Sequence, residues 1–176
     1  MSRSIVGAVL LGGLLLTSSA MAQTRTPPFQ AGVHWGFNFS DGEVDDERIG
    51  LQASVPLFWR LTINPVFSYL YNFPGDPTGF FEGSGWQGYL TLRVHPFGNN
   101  PFLALGYGIT LAHLSVRIPD LGVSDSDTDA TDVGVIAVTL PKGRVRPFVE
   151  VYLVDLLERR AAVGGNLLIG ANLRIP

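Results

Sequence analysis

A histidine and a serine stand two positions apart, His113 and Ser115, in the uncharged stretch 101–116, PFLALGYGITLAHLSV. In an extended chain such residues point to the same side, where an imidazole can activate a hydroxyl as a nucleophile. That chemistry also needs an acid that orients the ring. A single His-x-Ser pair has little specificity, so a histidine at the end of a strand is the alternative interpretation.

Carboxylates alternate with other residues in DSDTDATD, at 125–132. Hard cations such as Ca²⁺ are bound by carboxylates at this spacing. Ala130 replaces the turn glycine of a calcium loop, and Ile136 stands where its closing acid is expected. We therefore predict a solvated acidic loop, with weak binding of Ca²⁺ or Mg²⁺, or bridging of divalent cations to anionic surface lipid, as alternatives.

Four charged residues occupy largely apolar segments: Arg48, Arg93, Arg174 and Glu150. Buried charges must pair with one another or reach water. We predict that Glu150 pairs with one or more of the arginines to form an ionic plug inside the fold. A narrow pore lined by these residues is the alternative.

Cofactor and metal chemistry have little support in the sequence. Cysteine is absent, which excludes thiol chemistry, disulfides and cysteine-ligated metals. The three histidines lie on different segments without ligand spacing, and no phosphate-binding glycine loop or dinucleotide motif is present. We predict no catalytic, cofactor-binding or metal-binding residue.

The N-terminus, MSRSIVGAVLLGGLLLTSSAMAQ, has the three parts of a secretory signal peptide. Arg3 precedes an apolar segment at 5–16, and Ala20-Met21-Ala22 precedes the expected cleavage point. The apolar segment is shorter than the roughly 20 residues that a spanning helix needs. We therefore predict a signal peptide at 1–22 and one exported domain at 23–176, with a retained N-terminal anchor as the alternative.

The remaining chain contains eight segments with the alternation of a β-strand. In the fifth, bulky residues from Leu103 to Leu111 alternate with small ones, and two glycines disfavour a helix. Each segment is near the ~9–11 residues that a tilted strand needs to cross a bilayer. The segments are 29–39, 48–58, 61–73, 85–94, 102–114, 132–140, 147–156 and 162–175.

The connections divide by length and by charge. Tight connections at 58–61, 95–101 and 141–147 contain basic residues and no acid. Longer ones are predicted at 40–47, 74–84 and 115–131, and the fourth, 157–161, is short. Twelve of the fifteen acids lie in or beside the first three longer connections. Short turns at one end and longer loops at the other are typical of outer-membrane barrels, whose turns are periplasmic.

The two faces of the segments also differ. Apolar residues form stripes suited to lipid, and aromatic residues gather near the segment ends, as in interfacial girdles. A soluble periplasmic lipocalin-like barrel around a ligand is the alternative, but its outer face needs charge that 61–73, 102–114 and 162–173 lack. The residues predicted to face inward are Arg48, Gln52, Asn64, Gln87, Arg93, Glu150, Asn166, Asn172 and Arg174.

The signal peptide, the eight segments, NPFLALGYGI at 100–109 and RPFVEVYLV at 146–154 together resemble the small outer-membrane barrels of the outer membrane protein A and X type. The resemblance covers the whole mature chain. It implies an all-β fold, an eight-stranded antiparallel up-and-down transmembrane β-barrel in the outer membrane. Many such barrels end on an aromatic residue that the insertion machinery reads, whereas this chain ends Arg174-Ile175-Pro176.

One family of similar barrels, the lipid A deacylases, carries a lipid-facing His-x-Ser motif on its seventh strand. The seventh segment here contains VEVYLVDL, with neither residue at an equivalent place. A hydrolase of this type that uses His113 and Ser115 is therefore retained as the alternative function.

We predict a non-enzymatic integral outer-membrane barrel with a structural or surface role, through loop-mediated binding or a weak pore. The expected partners are outer-membrane lipids and lipopolysaccharide, with divalent cations at the acidic loops. We expect a monomer, and nucleic acid is not an expected partner of an acidic, exported chain.

Overall fold

The computed structural model describes residues 27–40, 43–72, 82–97, 102–118, 122–140, 143–156 and 164–175. The predicted signal peptide, 1–22, lies outside the described residues and stays a prediction. No helix in the described ranges is long and apolar enough to cross a membrane.

Eight antiparallel strands pair in chain order, and the first pairs with the last to close a barrel. This architecture confirms the predicted all-β, up-and-down barrel. The strands are β1 (Gln30–Ser40), β2 (Glu43–Pro56), β3 (Leu61–Asn72), β4 (Glu82–Val94), β5 (Leu103–Ile118), β6 (Val123–Thr139), β7 (Val145–Val154) and β8 (Gly165–Arg174).

The strands are staggered around the barrel. Paired residues followed from Trp35 through β2, β3, β4 and β5 lead to Thr128 on β6. Followed the other way, through β8 and β7, they lead to Val138 on the same strand, ten residues further on. A closed sheet with such a stagger has strands tilted by roughly 35–45° and a lumen that side chains fill.

The outside surface is apolar and the lumen is polar. Val33 and Leu51, for example, are 60% and 63% exposed, whereas Gln52 and Asn64 are buried. β5 has the predicted alternation of bulky and small residues; its bulky side chains point outward, and Ala104 and Thr110 point into the lumen. Because a soluble barrel has the reverse arrangement, this distribution is that of a protein surrounded by lipid.

His34 shows how closely the strands approach inside the barrel. It is paired with Gly50 on one side and with Gly170 on the other. A Cβ atom at Gly50 would lie 2.6 Å from Nε2 of His34. Glycine at this position therefore leaves room for the imidazole, which shares a 2.8 Å hydrogen bond with the hydroxyl of Ser68.

Three predicted boundaries are wrong at the loop side. β2 begins at Glu43 instead of 48, β5 continues to Ile118, and β6 begins at Val123 instead of 132. The predicted acidic loop at 115–131 is therefore mostly a β-hairpin. Residues 124–130 of β6 are exposed on both faces of the strand and include no large apolar side chain, so the alternation of apolar and polar residues that marks a strand is missing there.

We expect an arginine on the lipid-facing surface to destabilise the barrel in proportion to its depth. Leu51→Arg, in the middle of the apolar surface, should lower the free energy of unfolding by about 2–4 kcal/mol, and Leu140→Arg, at the turn end, by about 1 kcal/mol or less. Urea titration of vesicle-folded protein measures both. A negligible loss for Leu51→Arg would mean that this surface faces water.

Candidate functional site

A bidentate ion pair lies at the centre of the lumen. Arg93 donates from Nη1 to Oε1 of Glu150 over 2.7 Å and from Nη2 to Oε2 over 2.9 Å. The two residues are 4% and 1% exposed, so both charges lie out of bulk water. This pair confirms the prediction that Glu150 and an arginine form an ionic plug.

Neutral side chains complete the bonding of the carboxylate. The hydroxyl of Tyr152 lies 2.7 Å from Oε2 of Glu150 and 2.6 Å from Nη2 of Arg93. Gln52 connects Oε1 of Glu150, at 3.3 Å, with the side-chain oxygen of Asn172, at 3.1 Å. Because strands from opposite parts of the barrel contribute to this network, it ties β2, β4, β7 and β8 together across the lumen.

The other two predicted lumen arginines differ from Arg93. Arg48 is buried, but its described partners are the neutral side chains of Gln87 and Tyr89, the latter at 3.1 Å. Arg174 was expected to face the lumen; it is exposed, because β8 ends there at the rim. The plug therefore contains one ion pair and one arginine held by neutral groups.

A small polar cavity of about 20 Å³ lies beside the ion pair, toward the turn side. Gln30, Gln52 and His95 line it, and each has a buried side-chain atom without a hydrogen-bond partner among the described residues. A cavity of this size holds about one water molecule, which would satisfy such atoms. Burial, together with the charge of Arg93, lowers the pKa of His95 to about 4, so its ring is neutral at pH 7.

His113 and Ser115 lie on the outside surface of β5, near the loop side. The His113 ring stacks on Trp86, with centroids 5.8 Å apart, and its Nδ1 lies 2.9 Å from the hydroxyl of Thr128. Ser115 faces Ser84 and Ser126 on the neighbouring strands. In a catalytic triad an acid hydrogen-bonds this ring nitrogen, but here its partner is the hydroxyl of Thr128. The contact therefore favours the interpretation of His113 as an interfacial histidine.

The β5–β6 hairpin rises above its neighbour on one side. β6 pairs with β7 only from Val133 onward, so its edge at 123–130 faces no described strand. The carbonyl oxygen of Asp132 accepts a hydrogen bond from the N–H of Asp155, so the backbone groups of Asp132 point toward β7. In a regular strand, the backbone N–H and C=O groups of every second residue point to the same side, so those of the other even-numbered residues of β6 also point to this side. The backbone groups of the even-numbered residues at 124–130 therefore point to the open edge.

Aspartate side chains accept hydrogen bonds from three of the backbone N–H groups on this edge. The backbone N–H groups of Ser126, Thr128 and Ala130 donate to Oδ1 of the preceding aspartate over 2.8–2.9 Å. The three aspartates, Asp125, Asp127 and Asp129, thus cap three edge donors in succession. Along 126–130, the edge therefore presents carbonyl and carboxylate oxygen atoms to solvent.

The same aspartates do not converge on one point. They follow one another along one face of β6. Because alternate residues of a strand are about 6.5–7 Å apart along its axis, their carboxylates are spread out. In the described ranges no group of three or more histidine, aspartate or glutamate side chains is arranged to hold a metal ion. Weak binding of Ca²⁺ or Mg²⁺ at this acidic segment stays a prediction.

Loss of one partner should show how strongly the plug matters. We expect Glu150→Ala, which leaves Arg93 buried without a counter-charge, to lower the free energy of unfolding by about 3–5 kcal/mol. The matched double variant, Arg93→Met with Glu150→Met, should recover a large part of that loss because no charge stays buried. Urea titration in vesicles compares them, and a double variant no more stable than the single one would contradict this account.

No family model matches the chain, and no curated protein matches it. Solved structures do. Ail, the attachment invasion locus protein of Yersinia pestis, has 13% identity and a TM-score of 0.54, with 84% of this chain and 97% of that chain covered. Neisserial surface protein A has 11% identity and a TM-score of 0.55, with 84% and 96% covered. The N-terminal barrel domain of Pseudomonas aeruginosa OprF has 10% identity and a TM-score of 0.54, with 85% and 100% covered. The chain has the fold of these small eight-stranded outer-membrane barrels, and its apolar outside surface is that of a protein that lies in this membrane.

Proposed function

We propose that this protein is a non-enzymatic, plugged outer-membrane barrel whose β5–β6 hairpin binds cationic groups at the cell surface. The observation that carries the proposal is the open edge of β6, on which oxygen atoms replace the usual alternation of donors and acceptors. The barrel then serves as a membrane anchor for the hairpin, and the chain acts as a monomer.

The edge selects against one kind of partner and for another. An added β-strand needs free N–H donors on the edge that it joins, and three of these donors are occupied by aspartate. Ammonium and guanidinium groups, by contrast, only donate hydrogen bonds and carry the opposite charge. The edge therefore fits the side chains of a basic polypeptide better than its backbone.

The lumen-side face of the hairpin adds apolar contacts to these charges. Asp127 and Asp125 are paired with Leu114 and Val116 on β5. Both apolar side chains are more than one third exposed, at 39% and 37%, because they lie above the plugged part of the lumen. A surface of alternating carboxylates and apolar side chains suits an amphipathic basic peptide.

The plug supports an anchor more than a pore. Arg93, Glu150 and Tyr152 fill the middle of the lumen, and the cavity beside them holds about one water molecule. One structural relative, Ail, has been solved with the heparin analogue sucrose octasulfate, which is a polyanion. The three exposed aspartates of this hairpin have the wrong charge for such a ligand, so we propose a cationic partner instead.

A fluorescent oligolysine peptide tests the proposal on the folded barrel in zwitterionic lipid nanodiscs. We expect wild-type protein to bind it at low ionic strength and the triple variant Asp125→Asn, Asp127→Asn, Asp129→Asn to bind about tenfold more weakly, since three surface charges are lost. Ser126→Asn, on the opposite face of the same strand, is the control and should bind like wild type. Equal binding by wild type and the triple asparagine variant would overturn the proposal.

Alanine at the same positions separates charge from capping. Asparagine keeps a side-chain oxygen that accepts the edge amide, whereas alanine does not. We therefore expect the triple alanine variant, and not the triple asparagine variant, to self-associate through its uncapped edge in analytical ultracentrifugation. Monomeric behaviour of the alanine variant would show that the aspartates do not protect the edge.

A further inference from the structure

Three arginine side chains lie next to one another at the turn-side end of the lumen. Val145 points outward, so its two neighbours, Arg144 and Arg146, are on the lumen-facing side of β7. On β8 the lumen-facing side continues from the buried Asn172 to Arg174, the last residue of the strand. Arg144, Arg146 and Arg174 together form the basic mouth of the barrel.

The strand register brings these three charges close together. Arg146 is paired with Asn172, and the amide of Arg174 donates to the carbonyl of Arg144 over 2.8 Å. Residues opposite each other in such a pair have Cα atoms about 5.5 Å apart, and alternate residues of one strand are about 6.5–7 Å apart. Like charges in this arrangement destabilise a sheet. The basic mouth therefore lowers the stability of the barrel unless an anion compensates it.

The innermost of the three arginines has an unused hydrogen-bond donor. Arg146 is only 5% exposed, and its buried Nη1 atom has no partner among the described residues. Its Nε reaches the carbonyl of Gly143 over a long 3.5 Å. A buried guanidinium without an acceptor is costly. A water molecule would accept this hydrogen bond but would leave the charge uncompensated, whereas an anion would do both.

The described part of the turn side supplies no such anion. Glu150, the acid inside the lumen, already accepts both donors of Arg93. Arg60, which is also at the turn side, donates to the carbonyl of Pro96 over 2.8 Å. Aspartate and glutamate are absent from the described turn-side residues, which are 27–30, 57–60, 95–97, 102, 140, 143–146 and 174–175. A counter-charge for the basic mouth must therefore come from outside the described residues.

Three neighbouring guanidinium groups select an anion by its charge and by its number of oxygen atoms. A carboxylate or a phosphodiester carries one negative charge, and both of its free oxygens can be satisfied by a single arginine. A terminal phosphate carries about two negative charges and has three strong acceptor oxygens. It can therefore accept from several arginines at once, and its charge compensates more of theirs.

We infer that the basic mouth binds a doubly charged phosphate group, either inorganic phosphate or the terminal phosphate of a soluble monoester. Arg146 holds it from the lumen side, and Arg144 and Arg174 hold it at the rim. The short turns of such barrels face the periplasm, so soluble anions of that compartment reach the site. The site is at the opposite end of the barrel from the β5–β6 hairpin and is independent of its partner.

Isothermal titration calorimetry tests this site on the folded barrel in octyl glucoside micelles, which contain no phosphate. We expect wild type to bind inorganic phosphate at low ionic strength and about pH 8, where this anion is mostly doubly charged. Arg144→Gln and Arg174→Gln should each weaken binding by about tenfold, because each removes a charged hydrogen-bond donor. Dimethyl phosphate, with a single negative charge, should bind wild type at least about tenfold more weakly than phosphate.

Glycerol 3-phosphate distinguishes the two sources of the phosphate group. If it binds wild type as tightly as inorganic phosphate does, the mouth accepts the terminal phosphate of a monoester. If it binds much more weakly, the mouth has no room for the ester group and the ligand is inorganic phosphate.

Arg117→Gln is the matched control, because it removes one exposed arginine at the loop side. It should keep the phosphate affinity of wild type. Arg174→Gln should unfold at no lower urea concentration than wild type in the absence of phosphate, since a like-charged neighbour is removed. The inference is overturned if wild type does not bind phosphate, if dimethyl phosphate binds as tightly, or if Arg117→Gln loses as much affinity as Arg174→Gln.

Discussion

Eight staggered strands enclose a lumen only as wide as its own side chains, and the rest of the structure depends on this constraint. Polar groups in such a lumen have little access to water, so they must bond to one another. The pairing of Arg93 with both oxygens of Glu150, extended by Tyr152 and Gln52, meets that requirement across four strands. With the hydrogen-bonding groups directed inward, the outside can be apolar throughout the lipid.

The two ends of the barrel meet different surroundings, and their side chains differ accordingly. At the loop side, β6 continues past the end of β7, which creates a strand edge with no described neighbour. Such an edge invites pairing with other chains, and alternating aspartates occupy its amides. At the turn side, the described rim has arginines and no acid. Aspartates thus protect a strand edge at one end of the barrel, and the described part of the other end is basic.

The sequence predicts the barrel well because lipid outside and a polar lumen inside impose a strict alternation on every spanning strand. Glu150 stands out by the same rule, as a charge in the strand VEVYLV. The hairpin was missed because above the membrane neither face of β6 is apolar, and aspartate is rare in strands. The capping of the edge by Asp125, Asp127 and Asp129 depends on where β7 ends. That is a property of the pairing register, which a single sequence does not display.

The most direct test of the inside-out arrangement is quenching of tryptophan fluorescence by lipids brominated at defined depths. The chain has three tryptophans, and variants that keep one each report separate positions. Trp35 and Trp86 lie on the outside surface of β1 and β4, and Trp59 lies in the turn before β3. The account predicts that deep bromine atoms quench Trp35 most strongly, and that shallow ones quench Trp59 and Trp86. Equal and weak quenching of all three at every depth would contradict it.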